Sequence, residues 1–343
     1  MKIFIYSDLH ISKTSSIMPM HYDDKYTFRQ HMIIETGKFL ANIINQEHPD
    51  LIINLGDTFD QHTITSYDVD VASAFFKCFD VCGKIPHYVV VGNHEMVNHN
   101  YNAVTLLNNI PNIQVISDAT SLEIFSERIA FLPYCDHTDI LEFPDGEFLF
   151  SHQDIQGSVI RGDFTLPDGL NKNQLSRYKL VFNGHIHKSS MIGNVVNVGS
   201  ITTHSFSDDD SDAPQCYVFD TKTMDLKSFK SVICPLFRKI EITNSINELN
   251  GFIANLDANY RYILQCTCPQ ELKELVKEIL QNNQLIINSR INVKINKAIE
   301  SKTLESITSL ANINIKESFM EFLNTIDLKF PKQMYLDIIG GIN

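Results

Sequence analysis

The apolar positions in the first third of the chain fall in short continuous runs, and each run stops abruptly at a polar loop. Ile3-Phe-Ile-Tyr6 breaks into Ser7-Asp-Leu-His10, and Leu51-Ile-Ile-Asn-Leu55 breaks into Gly56-Asp-Thr-Phe-Asp60. A third run, Pro86-His-Tyr-Val-Val-Val91, ends in Gly92-Asn-His-Glu95. Runs that are apolar at successive positions read as strands buried on both faces. Between them the spacing becomes helical. Tyr26 to Gln46 carries Phe28, Met32, Phe39, Leu40 and Ile43, and Ser66 to Cys82 carries Val69, Phe76 and Phe79 on one side, with Gly83 as its C-cap. Strand, loop, helix repeated in this way predicts a mostly parallel layer with right-handed crossovers, so all three loops open at one sheet edge. The polar stretch from Ser12 to Tyr22 reads as a surface loop.

Beyond Pro111 the pattern changes to shorter strands: Ile113 to Ile116, Leu122 to Phe125, Arg128 to Leu132, Glu147 to Phe150 and Leu180 to Phe182. Two more polar loops follow strands here, Ser151-His-Gln153 and Gly184-His-Ile-His187. Val195 to Val198 and Cys216 to Phe219 complete this half, separated by an acidic loop (Asp208, Asp209, Asp210, Asp212) that reads as solvated and lacks EF-hand spacing. Composition shifts between Thr221 and Pro235. After it, three short strands (Arg238 to Ile242, Tyr260 to Gln265, Ile291 to Ile295) and two helices (Ile246 to Leu256, Pro269 to Gln281) form a small α/β pattern. Lys302 to Ile339 is helical in pattern, interrupted by Pro331, with Phe319, Phe322, Leu323 and Ile326 spaced as one apolar stripe. The expected division is a domain over 1–225, a small α/β domain over 236–298 and a helical segment over 302–343.

Charge narrows the possibilities. A formal net charge of −13 over 343 residues argues against holding nucleic acid by a basic face of the chain's own, so metal ions or a partner must supply positive charge for any polyanionic substrate. The seven cysteines (78, 82, 135, 216, 234, 266, 268) are scattered without a C-x-x-C pair, as expected of reduced core residues in a cytoplasmic protein. No apolar run approaches the length of a membrane span.

The strand ends carry the chemistry. Asp57 lies just past a buried strand, where open α/β sheets place their ligands, and its two oxygens could bridge cations about 3.5–4 Å apart. Alone, Gly-Asp-x-x-Asp also reads as a turn carboxylate capping the next helix. Together with Asp8, His10, Asn93, His94, His152, His185 and His187, all close behind strand-like runs, it forms a ligand set for two metals. Carboxylate, amide oxygen and imidazole suit manganese, iron or zinc better than calcium or magnesium.

These motifs, Asp-x-His, Gly-Asp-x-x-Asp, Gly-Asn-His-Glu and Gly-His-x-His, resemble those of the calcineurin-like metallophosphoesterase superfamily over about residues 1 to 220. The resemblance implies a β-sandwich flanked by helices. It implies that Asp8, His10, Asp57 and His187 hold one ion, that Asp57, Asn93, His152 and His185 hold the other, and that Asp57 bridges them. His94 would then be the catalytic histidine beside the leaving oxygen, with Asp60 reaching its imidazole. Serine/threonine phosphatases of the superfamily follow the second motif with an arginine where this chain has Gln61, yet they share the Glu95 spelling of the third. The whole-chain layout is similar to the nuclease subunit of double-strand-break repair complexes of the SbcD type, and to recombination endonucleases of large tailed bacteriophages. That layout implies DNA as substrate, two divalent ions (manganese foremost) and a coiled-coil ABC-type ATPase bound through the C-terminal helices; it leaves open whether the chain dimerises. A small-molecule phosphodiesterase or phosphatase would use the same residues.

Overall fold

The computed structural model describes residues 1–12, 22–98, 101–135, 143–161, 164–203, 205–206 and 213–294. Two six-stranded sheets face each other. The first runs, in spatial order, Leu226–Lys230, Gln215–Asp220, Lys2–Tyr6, Leu51–Asn54, His87–Val90, Ile113–Ile116. Its four consecutive strands from Lys2–Tyr6 onward are parallel, as the alternation of strand and helix predicts, while Gln215–Asp220 closes the other side antiparallel. The second runs Ser190–Ile192, Val195–Asn197, Leu180–Asn183, Phe148–Ser151, Glu127–Leu132, Thr120–Ile124, parallel in its middle four strands and antiparallel at both edges. This is a mixed α/β sandwich.

Alternation along each strand explains why the runs are apolar throughout. Ile3, Ile5, Leu51, Ile53 and Val90 point between the sheets and meet Phe131, Phe150, Phe182 and Val196 from the opposite side. Phe4, Tyr6, Ile52 and Val89, on the other face, pack under Ile33, Leu40, Phe75 and Phe76 of the two covering helices. The second sheet's outer face is covered in the same way by Ile155, Leu170, Leu175 and Tyr178. With both faces covered, the strands of the first sheet's middle, Lys2–Tyr6 and Leu51–Asn54, are buried from Ile3 to Tyr6 and from Leu51 to Asn54.

Both helices start on a capping box. Thr27 and Gln30 cap Phe28–Glu47, and Thr65 and Asp68 cap Ser66–Lys77, so each helix begins where its loop leaves the sheet edge. The second tightens into a 3₁₀ turn over Cys78–Cys82 before Gly83 ends it at φ 85°. Its packed face is Val71, Ala72, Phe75 and Phe76, continued in the first turn by the buried Asp68; Val69, expected on that face, is 39% exposed because it lies at the margin of this stripe. In the first helix the packed face includes Arg29, an inward charge that periodicity does not anticipate.

Residues 236–292 contribute a separate small core. Strands Leu236–Glu241 and Tyr262–Pro269 pair in parallel, Ile286–Lys294 takes the third place in the sheet, and helices Ile246–Ala254 and Lys273–Gln281 cover it through Leu249, Val276 and Leu280. Phe237 and Ile263 join it to Phe206. The segment expected to bind a partner, 302–343, lies outside the described residues, as do the acidic loop at 208–212 and most of the loop before Tyr22.

Candidate metal centre

The loops that follow the parallel strands converge. Asp8 and His10 leave Lys2–Tyr6, Asp57 leaves Leu51–Asn54, Asn93 and His94 leave His87–Val90, His152 leaves Phe148–Ser151, and His185 and His187 leave Leu180–Asn183. Two groupings of candidate ligands result, Asp8 with His10 and His187, and Asp57 with His152 and His185; His10, Asp60 and His94 form a third grouping that shares His10 with the first. Asp8, His10, Asp57 and His185 all hold left-handed backbone, at φ 54°, 49°, 50° and 69°. Such φ values are strained outside glycine and persist where surrounding structure over-determines them.

Close approach dictates two of the glycines. Gly56 sits at φ 112°, and a Cβ there would lie 2.5 Å from His152 Nδ1. A Cβ on Gly92 would collide with Asp57 Oδ1.

The donor geometry calls for cations. His152 gives Nδ1–H to the carbonyl of Leu55 at 2.8 Å, so Nε2 of the neutral ring is a lone pair, yet it faces Asp57 Oδ2 at 3.3 Å and Asn93 Oδ1 at 3.1 Å. His185 likewise spends Nε2–H on Asp154 Oδ1 at 3.0 Å while Nδ1 faces Asn93 Oδ1 at 2.9 Å. His10 Nε2 and His187 Nε2 face each other at 3.0 Å. Two ligand atoms about 2.1 Å from one ion and at right angles to each other lie about 3.0 Å apart. These separations match the edges of a coordination polyhedron. Asp57 Oδ2 stands 3.3 Å from His152 and 3.8 Å from His10, between the two clusters, as a bridging oxygen would. Asp8 Oδ2 is buried with no hydrogen-bond partner.

Burial opposes ionisation of His152, but the Asp57 carboxylate overrides it and holds its pKa up to about 9. Asp57, despite burial, lies well below the ordinary carboxylate range because His152, His10 and His94 surround it. The residues present thus fit a pair of divalent cations.

His94, in the third grouping, is 40% exposed, with Nε2 4.0 Å from Asp57 Oδ2 and its ring edge-on to His10. Its Nδ1 lies 2.7 Å from an oxygen of Asp60, and that oxygen is the backbone carbonyl. The Asp60 carboxylate instead faces His10 Nδ1 at 3.4 Å. The expected contact between the two residues exists, made by a different group. Tautomer control survives the change, because a carbonyl can only accept.

Three residues serve the site without having been read as part of it. Glu95 is fully buried and ties two loops together, accepting from the backbone N–H groups of Thr58, Phe59 and Gly92 at 2.5, 3.0 and 2.8 Å. Burial and the charge of Asp57 push its carboxyl up to about 7 against those donors. Asp154 backs His185; its signal was a carboxylate two positions past His152 in the same loop. Arg29 reaches the carbonyls of Leu9 and His10 in the first metal loop.

Residues 1–189, more than half of the chain, match the calcineurin-like phosphoesterase family. The chain belongs to that family, whose fold uses divalent metals. Exonuclease subunit 1 of Enterobacteria phage T4 is 29% identical over 182 residues, 50% of this chain and 53% of the phage protein. The chain therefore spans about half the length of that relative. Among solved structures, an archaeal phosphodiesterase (14% identity, TM-score 0.34) and TT1561 of Thermus thermophilus (12%, 0.40) each align with 67% of this chain and with 100% and 98% of their own. Among the described residues no helix is long and apolar enough to cross a membrane.

Proposed function

We propose that the chain is a metal-dependent DNA nuclease, the hydrolytic subunit of a complex for recombination and double-strand-break repair. The observation that carries this reading is the double cluster of donors meeting on one oxygen of Asp57; the similarity to a phage exonuclease subunit directs it to DNA. In this reading Asp8, His10, Asp57 and His187 hold one ion and Asp57, Asn93, His152 and His185 the other, with manganese the metal that the mixed oxygen and nitrogen set favours.

A bound pair of divalent ions supplies an acidified water near neutral pH and positive charge for the phosphoryl oxygens. The chain's own residues do the rest. His94, anchored through Nδ1 by the Asp60 carbonyl, presents Nε2 as the atom that delivers a proton to the leaving oxygen. Asp57 holds that loop in place by accepting from the His94 backbone N–H at 3.0 Å. Glu95 keeps the loops of Asp57 and His94 in register, and the buried ring of His152 walls the centre from behind.

A chain of net charge −13 needs positive surface from elsewhere to hold DNA. We assign that role to a coiled-coil ABC-type ATPase of the SbcC kind, docking on the apolar stripe of 302–343, and place the complex in the cytoplasm. The test is purified chain with manganese and linear or hairpin DNA, with and without the candidate ATPase, beside bis-p-nitrophenyl phosphate. The reading expects DNA cleavage that a chelator abolishes. Hydrolysis of the small ester with DNA intact in every combination would replace it with a small-molecule phosphodiesterase.

A further inference from the structure

Arg29 is the second residue of the first helix and is 1% exposed. A guanidinium so deeply placed must find acceptors, and two of those it finds are main-chain carbonyls of the first metal loop. Nη2 lies 2.9 Å from the carbonyls of both Leu9 and His10 and 3.0 Å from Thr202 Oγ1, while Nη1 reaches the carbonyl of Thr203 at 3.1 Å. Thr202 Oγ1 donates in turn to the Leu9 carbonyl at 2.9 Å, and Ser200 Oγ donates to the Asp8 carbonyl at 2.7 Å. Three successive carbonyls, of Asp8, Leu9 and His10, are thereby satisfied by buried side chains and not by a strand partner.

Those are the peptides whose geometry is strained. Asp8 and His10 both adopt positive φ, a strained backbone that persists where a surrounding lattice of contacts holds it. The Ser200 segment extends this lattice to the third member of the cluster. Ser200 N donates to the His187 carbonyl at 3.1 Å, and Ile201 N donates to the Ser7 carbonyl at 2.9 Å. The histidines of the second cluster are seated by other groups, Leu55 O behind His152 and Asp154 behind His185, while the Asp57 carbonyl accepts from the His10 N–H at 2.9 Å.

We infer that Arg29, acting with Thr202 and Ser200, is a positioning residue for one half of the centre: it sets the backbone from which Asp8 and His10 present their donor atoms. It touches neither ion nor substrate. A guanidinium suits the task because its planar fork reaches several carbonyls at once, where an ammonium on a flexible stem would hold fewer in fixed directions. The inference rests on the two-ion reading of the site and is independent of whether the substrate is DNA.

Manganese titration of the metal-free full chain, followed by electron paramagnetic resonance with no substrate present, separates the two sites. Arg29→Lys and Thr202→Val should each weaken one site by the roughly 10–100-fold typical of lost supporting groups and leave the other unchanged, and Thr202→Ser should restore it. Melting of the same variants in chelator reports whether they fold. Should Arg29→Lys fail to fold, the Thr202 pair decides. Equal weakening of both sites, or two unaltered sites in a folded variant, would overturn the positioning role. Wild-type chain that binds no manganese would overturn the two-ion reading itself.

Discussion

His185 hands its Nε2–H to the carboxylate of Asp154 at 3.0 Å, and in doing so it commits Nδ1, 2.9 Å from Asn93 Oδ1, to the interior of the centre. The carboxylate fixes which nitrogen is free and raises its basicity, the arrangement that supports metal-bound histidines generally. Nothing else in the His152 loop would do this, since Gln153 turns away to the carbonyl of Pro133.

Asp154→Asn should therefore lower affinity for the ion held with His152 by roughly 10–100-fold while the protein stays folded. Manganese binding followed by calorimetry checks it. Wild-type affinity in this variant would mean that His185 is positioned by its backbone alone.

His94 and Asp60 separate two effects that the sequence could not. His94→Ala should keep both ions and reduce turnover by roughly 10²–10⁴-fold, as loss of a general acid does. Because the Asp60 carbonyl, and not its carboxylate, meets His94, Asp60→Asn leaves that hydrogen bond in place and acts through His10 instead. It should change manganese affinity before it changes the proton transfer. Metal content and turnover, measured on both variants, distinguish the outcomes; metal loss in His94→Ala would place that residue among the ligands.

Remote from the centre, His87 is buried with its Nε2 3.0 Å from the Tyr6 hydroxyl, and burial pulls its pKa down to about 3. A base that is harder to protonate when folded takes up fewer protons than the unfolded chain between about 3 and its ordinary 6.5. Its contribution to stability is complete above about pH 6.5 and is lost as pH falls toward 3, at a limit of about 1.4 kcal/mol per pH unit. Chelator-treated wild type should accordingly destabilise more steeply with acid over that window than His87→Gln. Parallel curves would show that His87 is already protonated in the folded state.

The strand-end logic explains what was legible. Each candidate donor follows an apolar run, and parallel strands necessarily deliver their loops to one edge, so Asp8, Asp57 and Asn93 could be placed together before any contact was known. The residues that went unread act on other residues and carry no pattern of their own. Arg29 occupies a position where helical spacing predicts an apolar side chain, and its acceptors are carbonyls, which every residue possesses. Asp60 meets His94 through its backbone carbonyl, and the sequence cannot tell a carboxylate from the carbonyl of the same residue. The pairing of strands into two sheets was equally silent, because a strand buried on both faces looks the same in either.

The central claim is that one oxygen of Asp57 joins two metal sites, and Asp57→Asn tests it most directly. An amide in place of the carboxylate removes the charge shared by both clusters while keeping the shape, including an oxygen for the His94 backbone N–H. Elemental analysis and manganese titration of the purified wild type should find two ions per chain, and the variant should lose affinity for both together, whereas His10→Ala should weaken mainly one. Two manganese ions bound to Asp57→Asn with wild-type affinity would contradict the bridge.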